Sequence, residues 1–268
     1  MRPTFRLAAW NLRHGGGNER TPAQAIALRS LDPDVVVLSE FRAARGGQVG
    51  AVLADGGLPH SAVAPGGDRQ NRVAVFSRAP LAVVSDAGPR LLHARIDAGA
   101  TPFSLLAVHI PDESSPTLRA GLWQATASFA REHARAPAII AGDFNTSRRG
   151  ADPSRPGQTC ERWLGAVESS GFRDAWRLCG AAGTTPSWFG PRGERARIDM
   201  AYASESLRKT VAKCWYDASC VEAGLSDHAV LVLELLADRV EKPSQTPGFG
   251  CLFSGAPCAG GEETVQPD

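Results

Sequence analysis

Apolar residues in this chain gather into short unbroken runs, at residues 5–11, 35–40, 103–109, 138–142 and 229–236. A strand covered on both faces has no solvent side to alternate with, so runs of this kind predict strands inside sheets. Spacing of three and four between apolar positions predicts helices elsewhere. One covers residues 23–31, with Thr21 as its cap and Pro22 at the first helical position. Others cover 48–54, 117–134 and 159–169, the second of these with Leu118, Leu122, Ala125 and Phe129 on one stripe. Residues 71–77, 81–84 and 91–97 read as consecutive antiparallel strands, and 56–68 as a Gly/Pro-rich loop. Alternation over 196–202 predicts a strand with Arg197 and Asp199 on one face, and 210–216 a further strand.

Composition adds limits to this alternation of strands and helices. The 268 residues, 43% hydrophobic and 21% charged, suffice for one large α/β domain. Aliphatics thin out after Asp238, so residues 1–238 are expected to form that domain and 239–268 a Pro/Gly-rich tail. A formal net charge of +1 supplies no global attraction for nucleic acid, and any phosphate-binding surface must be local. No apolar stretch is long enough for a membrane span, and residues 5–11 read as a core strand rather than a secretion signal, so the cytoplasm is the expected compartment. The six cysteines are expected as thiols; Cys251 and Cys258 in the tail are too few ligands for a zinc site.

Chemistry concentrates where strands end. Asn11, Glu40, His109, Asp143 with Asn145, Asp199, and Asp227-His228 all stand at or beside strand termini, the usual place for a site in an α/β fold. Each has an ordinary reading as well. Gly142-Asp143-Phe144-Asn145 is also the composition of a turn, Asn11 a turn former, and Glu40 a salt-bridge partner for Arg42. Arg13 and His14, in the glycine-rich loop 11–17, read as loop surface. Trp188 and Phe189 are either tucked under a Pro/Gly loop or held for a ligand. Hard oxygen donors with two imidazoles favour a magnesium site on a phosphate ester over a zinc site.

In this order, Trp10-Asn11, the Glu40 strand, Val108-His109, Gly142-Asp143-Phe144-Asn145, Arg197-Ile198-Asp199 and Ser226-Asp227-His228 resemble the endonuclease/exonuclease/phosphatase superfamily, which includes exonuclease III, deoxyribonuclease I, sphingomyelinases and inositol polyphosphate 5-phosphatases. The resemblance covers residues 5 to 236. It implies a deoxyribonuclease I-like fold, a two-sheet β-sandwich flanked by helices in four α/β/β/α layers. It also implies Mg2+, with Mn2+ as a substitute, held by Glu40 with Asn11 and Asp227. Asp143 and Asn145 would position water and a phosphate oxygen, His109 would contact phosphate, and His228 would bind the phosphoryl group or move a proton, oriented by Asp199. Either Asp143 or His228 would be the general base.

Branch markers are mixed. Ala107-Val-His-Ile-Pro111 carries a histidine where exonuclease III-like enzymes carry tyrosine, a feature similar to the deoxyribonuclease I and phosphatase branches. Ser187-Trp-Phe189 resembles the aromatic loop that holds abasic nucleotides, whereas Ser39-Glu40-Phe41-Arg42 departs from the Gln-Glu-x-Lys of the abasic-site enzymes. The expected activity is a nuclease that hydrolyses phosphodiesters by in-line attack of water, with Arg148 and Arg149 on phosphates and Trp188 and Phe189 stacking on bases. The alternative is a phosphatase or phosphodiesterase on a small or lipid-linked phosphate. A non-catalytic binding module is the third reading, and no protein partner is expected.

Overall fold

The unbroken apolar runs pair into two six-stranded mixed sheets packed face to face. The computed structural model describes residues 4–17, 19–99, 102–154, 160–180 and 185–236. The first sheet has the order β13 (Val211–Asp217), β14 (Val230–Leu236), β1 (Thr4–Asn11), β2 (Val35–Phe41), β4 (Arg72–Ser77), β3 (His60–Val63). The second runs β5 (Leu81–Asp86), β6 (Leu91–Ile96), β7 (Phe103–His109), β8 (Ala138–Asp143), β12 (Asp199–Ala203), β9 (Arg173–Asp174). A short hairpin, β10 (Trp188–Phe189) with β11 (Arg195–Ala196), stands apart from both.

The absence of alternation follows from three cores. Leu7, Val35, Val37, Leu105, Ile139 and Leu233 meet between the sheets. On the outer face of the first sheet, Ala8, Trp10, Val36 and Leu38 pack on α1 (Arg20–Ser30) and α2 (Ala43–Asp55). Outside the second, Leu106, Val108, Ile140 and Met200 pack on α3 (Pro116–Glu132) and α4 (Glu161–Ser169). Successive residues of one strand thus enter different cores, which is the four-layer sandwich.

Each sheet has one parallel pair joined by a helix: β1 to β2 through α1, and β7 to β8 through α3. A helical crossover returns the chain to the starting end of the next strand, so both carboxyl ends share an edge. The registers place Asn11 beside Ser39 and His109 beside Asp143.

Several local expectations are corrected. Thr21 does not cap α1; the helix starts at Arg20 and the Thr21 hydroxyl donates instead to the carbonyls of Gly15 and Gly17. The 56–68 loop contains β3, and α2 begins at Ala43, ahead of the expected start. β4 belongs to the first sheet and β5 to the second; Pro80, with no N–H for a ladder, stands where the chain changes sheets. On α3 Leu118 is exposed, whereas Trp123 and Thr126 are buried beside Leu122 and Phe129, and Arg119 turns inward onto Thr146 and the Asn145 carbonyl. The 196–202 strand breaks between β11 and β12, and Arg197 and Asp199 enter separate polar networks. The four described cysteines are free thiols; Cys251 and Cys258, with the rest of 239–268, lie outside the described residues. Among the described residues no helix is long and apolar enough to cross a membrane.

Candidate active site

Main-chain geometry at the shared edge is set by residues in unusual conformations. Gly142 has φ +141, and a Cβ there would lie 2.0 Å from the Val108 carbonyl oxygen of the neighbouring strand, so only glycine permits the β7–β8 approach. Glu40, where β2 and β4 lose register, and Asn145, just past β8, are both left-handed, with φ +56 and +43. Non-glycine residues in this region cost about 1–3 kcal/mol each and persist where the surroundings hold them in place.

These strand ends converge. The Asn11 amide comes from the first sheet and donates to Asp143 Oδ2 at 2.9 Å and to Glu40 Oε1 at 3.4 Å. Asn145 donates its main-chain N–H to Asp143 Oδ1 at 2.9 Å, while its amide anchors on the Ile110 carbonyl at 3.0 Å. Asp143 faces Asp199 across the β8–β12 pair, and Asp199 Oδ2 is 2.9 Å from His228 Nδ1. Ligand atoms of Asp143, Asp199 and His228 all lie within 4.8 Å of one another in a buried cluster. His109 Nε2 stands 3.8 Å from both Glu40 Oε1 and Asp143 Oδ2.

The electrostatics follow from burial and from which charges face each other. Burial, then the neighbouring Asp199 carboxylate, pushes Asp143 up to about 7, against the opposing pull of His228 and the hydrogen bonds from Asn145 and Asn11. For His228 burial favours the neutral ring, but the contact and hydrogen bond with Asp199, with Asp143 and Asp227 nearby, outweigh it and raise the imidazole to about 10. His109 is held neutral by burial and by Arg90, His228 and His14.

Other expected residues divide into near and far. Trp188 joins the site, its indole N–H donating to Asp227 Oδ2 at 3.3 Å, and the Phe189 main-chain N–H donates to the Asp227 carbonyl at 2.9 Å. Arg148 is directed elsewhere: its guanidinium pairs with Glu168 and Glu161 on α4. Arg149 stays exposed, its main-chain N–H on Glu161. Four contributors were not singled out by strand-end logic. Ser187 accepts the N–H groups of Ile198 and Asp199 and donates to Asp199 Oδ2 at 2.6 Å, orienting that carboxylate. Arg90 lies 3.1 Å from both ring nitrogens of His109. Arg119 braces the turn after Asn145, and His14 meets Glu40 through both main chain and ring. All four belong to loops, a helix or a strand start, where sequence carries no strand-end signal.

The donors suit a hard divalent cation. Asp143, Asp199 and His228 are the described carboxylates and imidazole close enough to share one ion; Glu40 and Asp227, expected from sequence to hold it, lie outside that group, and Asp227 Oδ1 is buried without a hydrogen-bond partner, 3.9 Å from Arg13 Nε. A buried carboxylate oxygen left in this state is what a bound ion would satisfy. Asn11 Oδ1 accepts the Arg13 N–H at 2.9 Å, which leaves its second lone pair for such an ion.

A two-sheet sandwich with buried carboxylates and a carboxylate–imidazole pair gathered at one edge agrees with a phosphoesterase-type hydrolase. Residues 8–228 match the profile of the Endonuclease/Exonuclease/phosphatase family, and the chain belongs to that family. Among solved structures, a 3′ phosphatase from Neisseria bound to a product DNA hairpin is 20% identical, with TM-score 0.71, over 86% of this chain and 99% of its own. An AP endonuclease from Archaeoglobus fulgidus is 19% identical, with TM-score 0.71, over 85% and 98%. An endonuclease/exonuclease/phosphatase from Beutenbergia cavernae is 23% identical, with TM-score 0.66, over 88% and 72%. At these identities the likeness is one of fold. No curated protein matches the chain.

Proposed function

We propose that this chain is a divalent-metal-dependent phosphodiesterase acting on nucleic acid. The observation that carries the reading is the buried Asp143, held by Asn11 and Asn145 and set within one cluster with the Asp199–His228 pair. Glu40 and Asp227 would hold the ion, which when bound offsets phosphate charge and polarises the ester. Asp143, held by the Asn11 amide and the Asn145 N–H, accepts the proton of the attacking water. His228, kept as imidazolium by Asp199, stabilises the charge that develops on the phosphoryl oxygens. Asn145 and the neutral His109 orient the phosphate, and Trp188 offers an aromatic face to a base.

That two structural neighbours are described as a DNA-bound 3′ phosphatase and an AP endonuclease supports nucleic acid as the substrate class. A small phosphate ester is the second reading, favoured by the net charge of +1 and by the engagement of Arg148 with α4. The test compares plasmid, abasic duplex, single-stranded DNA, RNA and a chromogenic phosphodiester, with Mg2+ or Mn2+ and with EDTA. Asp143→Asn is expected to lower kcat by roughly 10²–10⁴. Nuclease activity surviving both EDTA and this substitution would refute the mechanism; turnover of small esters alone would favour the second reading.

A further inference from the structure

Arg13 and His14 are left-handed, with φ +52 and +57, and are followed by three glycines of positive φ. This strained turn brings the His14 main-chain N–H to 2.6 Å from Glu40 Oε2 and its ring Nδ1 to 2.9 Å from the same oxygen. A third group meets that ring nitrogen. Arg42 Nε donates to Asn71 Oδ1 at 2.7 Å, which turns the Asn71 NH2 toward His14 Nδ1 at 3.1 Å. An amide NH2 only donates, so the nitrogen facing it presents a lone pair. Two lone-pair atoms, Nδ1 and Oε2, therefore face each other at 2.9 Å. Cis ligands about 2.1 Å from an octahedral ion stand about 3 Å apart, so the pair has the spacing of two ligands on one cation.

We infer that His14 is a ligand to the cation held by Glu40, making the site a mixed oxygen–nitrogen one that favours borderline transition ions over Mg2+. The inference rests on the reading of Glu40 as a metal holder. The ring is also accessible, its side chain 66% exposed and open to an ion arriving from solvent, whereas His109 is 4% exposed and held against Arg90. Imidazole adds affinity for transition ions and little for Mg2+, so the preference between them reports the ligand.

The experiment uses the full chain loaded with Mn2+. Pulsed EPR should show a directly coordinated imidazole nitrogen in the wild type and lose that signal in His14→Gln, with His109→Gln retaining it. Titration should give a His14→Gln site about tenfold weaker for Ni2+, a borderline ion that imidazole suits, while its Mg2+ affinity changes less than about threefold. His14 is exposed, so the variant is expected to fold, and circular dichroism verifies this. Mn2+ binding that is lost in Glu40→Gln but shows no nitrogen signal attributable to His14 overturns the inference alone and leaves a plain His–Glu hydrogen bond. Mn2+ binding unaffected by Glu40→Gln overturns both the inference and the metal reading beneath it.

Discussion

At the scale of single residues, function and stability pull in opposite directions at Asp143. Its carboxylate is buried beside Asp199, and burial with that neighbour lifts it to about 7. An acid whose native value lies above its unfolded value binds more protons when folded, so the metal-free protein loses stability as pH rises from about 4 to about 7. Asp143→Asn removes that repulsion. At pH 8 in EDTA the variant should melt about 2–4 °C above the wild type while losing catalysis, and saturating Mn2+ should stabilise the wild type more than the variant. Differential scanning fluorimetry with and without the ion checks both statements. The chemical type of Asp143, Asn145, Glu40 and His228 was legible in sequence because strand ends advertise them. Ser187 and Arg90 were not, because an ordinary serine in a loop and an arginine at a strand start acquire meaning only through the partner that the fold supplies.

Elements show how neighbours rewrite a local pattern. The apolar runs of β1, β2, β7 and β8 were readable because both faces of each strand are covered, a property inherent in composition. On α3 the expected stripe holds at Leu122, Ala125 and Phe129 but not at its start, where Leu118 is exposed and the buried neighbour is Arg119, bracing the turn after Asn145. Between α3 and β6, His93 packs edge-on against Phe129 and His133, with ring centroids 5.0 and 5.1 Å away, and its Nε2 is buried without a hydrogen-bond partner. Burial, then His133, lowers it to about 4, against the opposing effect of Glu132. A histidine neutral in the fold and protonated in the unfolded chain withdraws stability as pH falls from about 6.5 toward 4. His93→Phe should therefore flatten the acid limb of the stability curve by roughly 1–2 kcal/mol, read by urea unfolding at pH 7 and pH 5.

For the whole molecule, one buried arginine ties distant segments together. Arg197 Nε meets Asp152 Oδ1 at 2.7 Å and its Nη2 meets Asp174 Oδ2 at 2.5 Å, with all three side chains nearly inaccessible. The group remains charged, because Tyr216, Asp174 and Asp152 outweigh the effect of burial. Arg197→Met would leave Asp152 and Asp174 with Arg177 alone, whose Nη2 and Nε stand 2.5 and 3.6 Å from them, so the cost should fall below the roughly 3–5 kcal/mol of a fully unpaired buried charge, and chemical denaturation measures it. Because Ile198 and Asp199 follow directly, the same substitution should also lower activity without touching the Asp199–His228 contact itself. Activity that stayed at the wild-type level in a destabilised Arg197→Met protein would show that the network supports the fold alone.

Sequence by itself determined the layered α/β class, the chemical kinds at the site and their order along the chain, because burial on both faces and polar strand termini are written in composition and spacing. Tertiary structure decided which groups meet. It carried Asn11 across from one sheet to Asp143 on the other, drew His14 onto Glu40 through a left-handed turn, and sent Arg148 to α4 rather than to the cluster. Those outcomes depend on pairings between residues tens to hundreds of positions apart, and on charges that find their counter-charge only when the two sheets close.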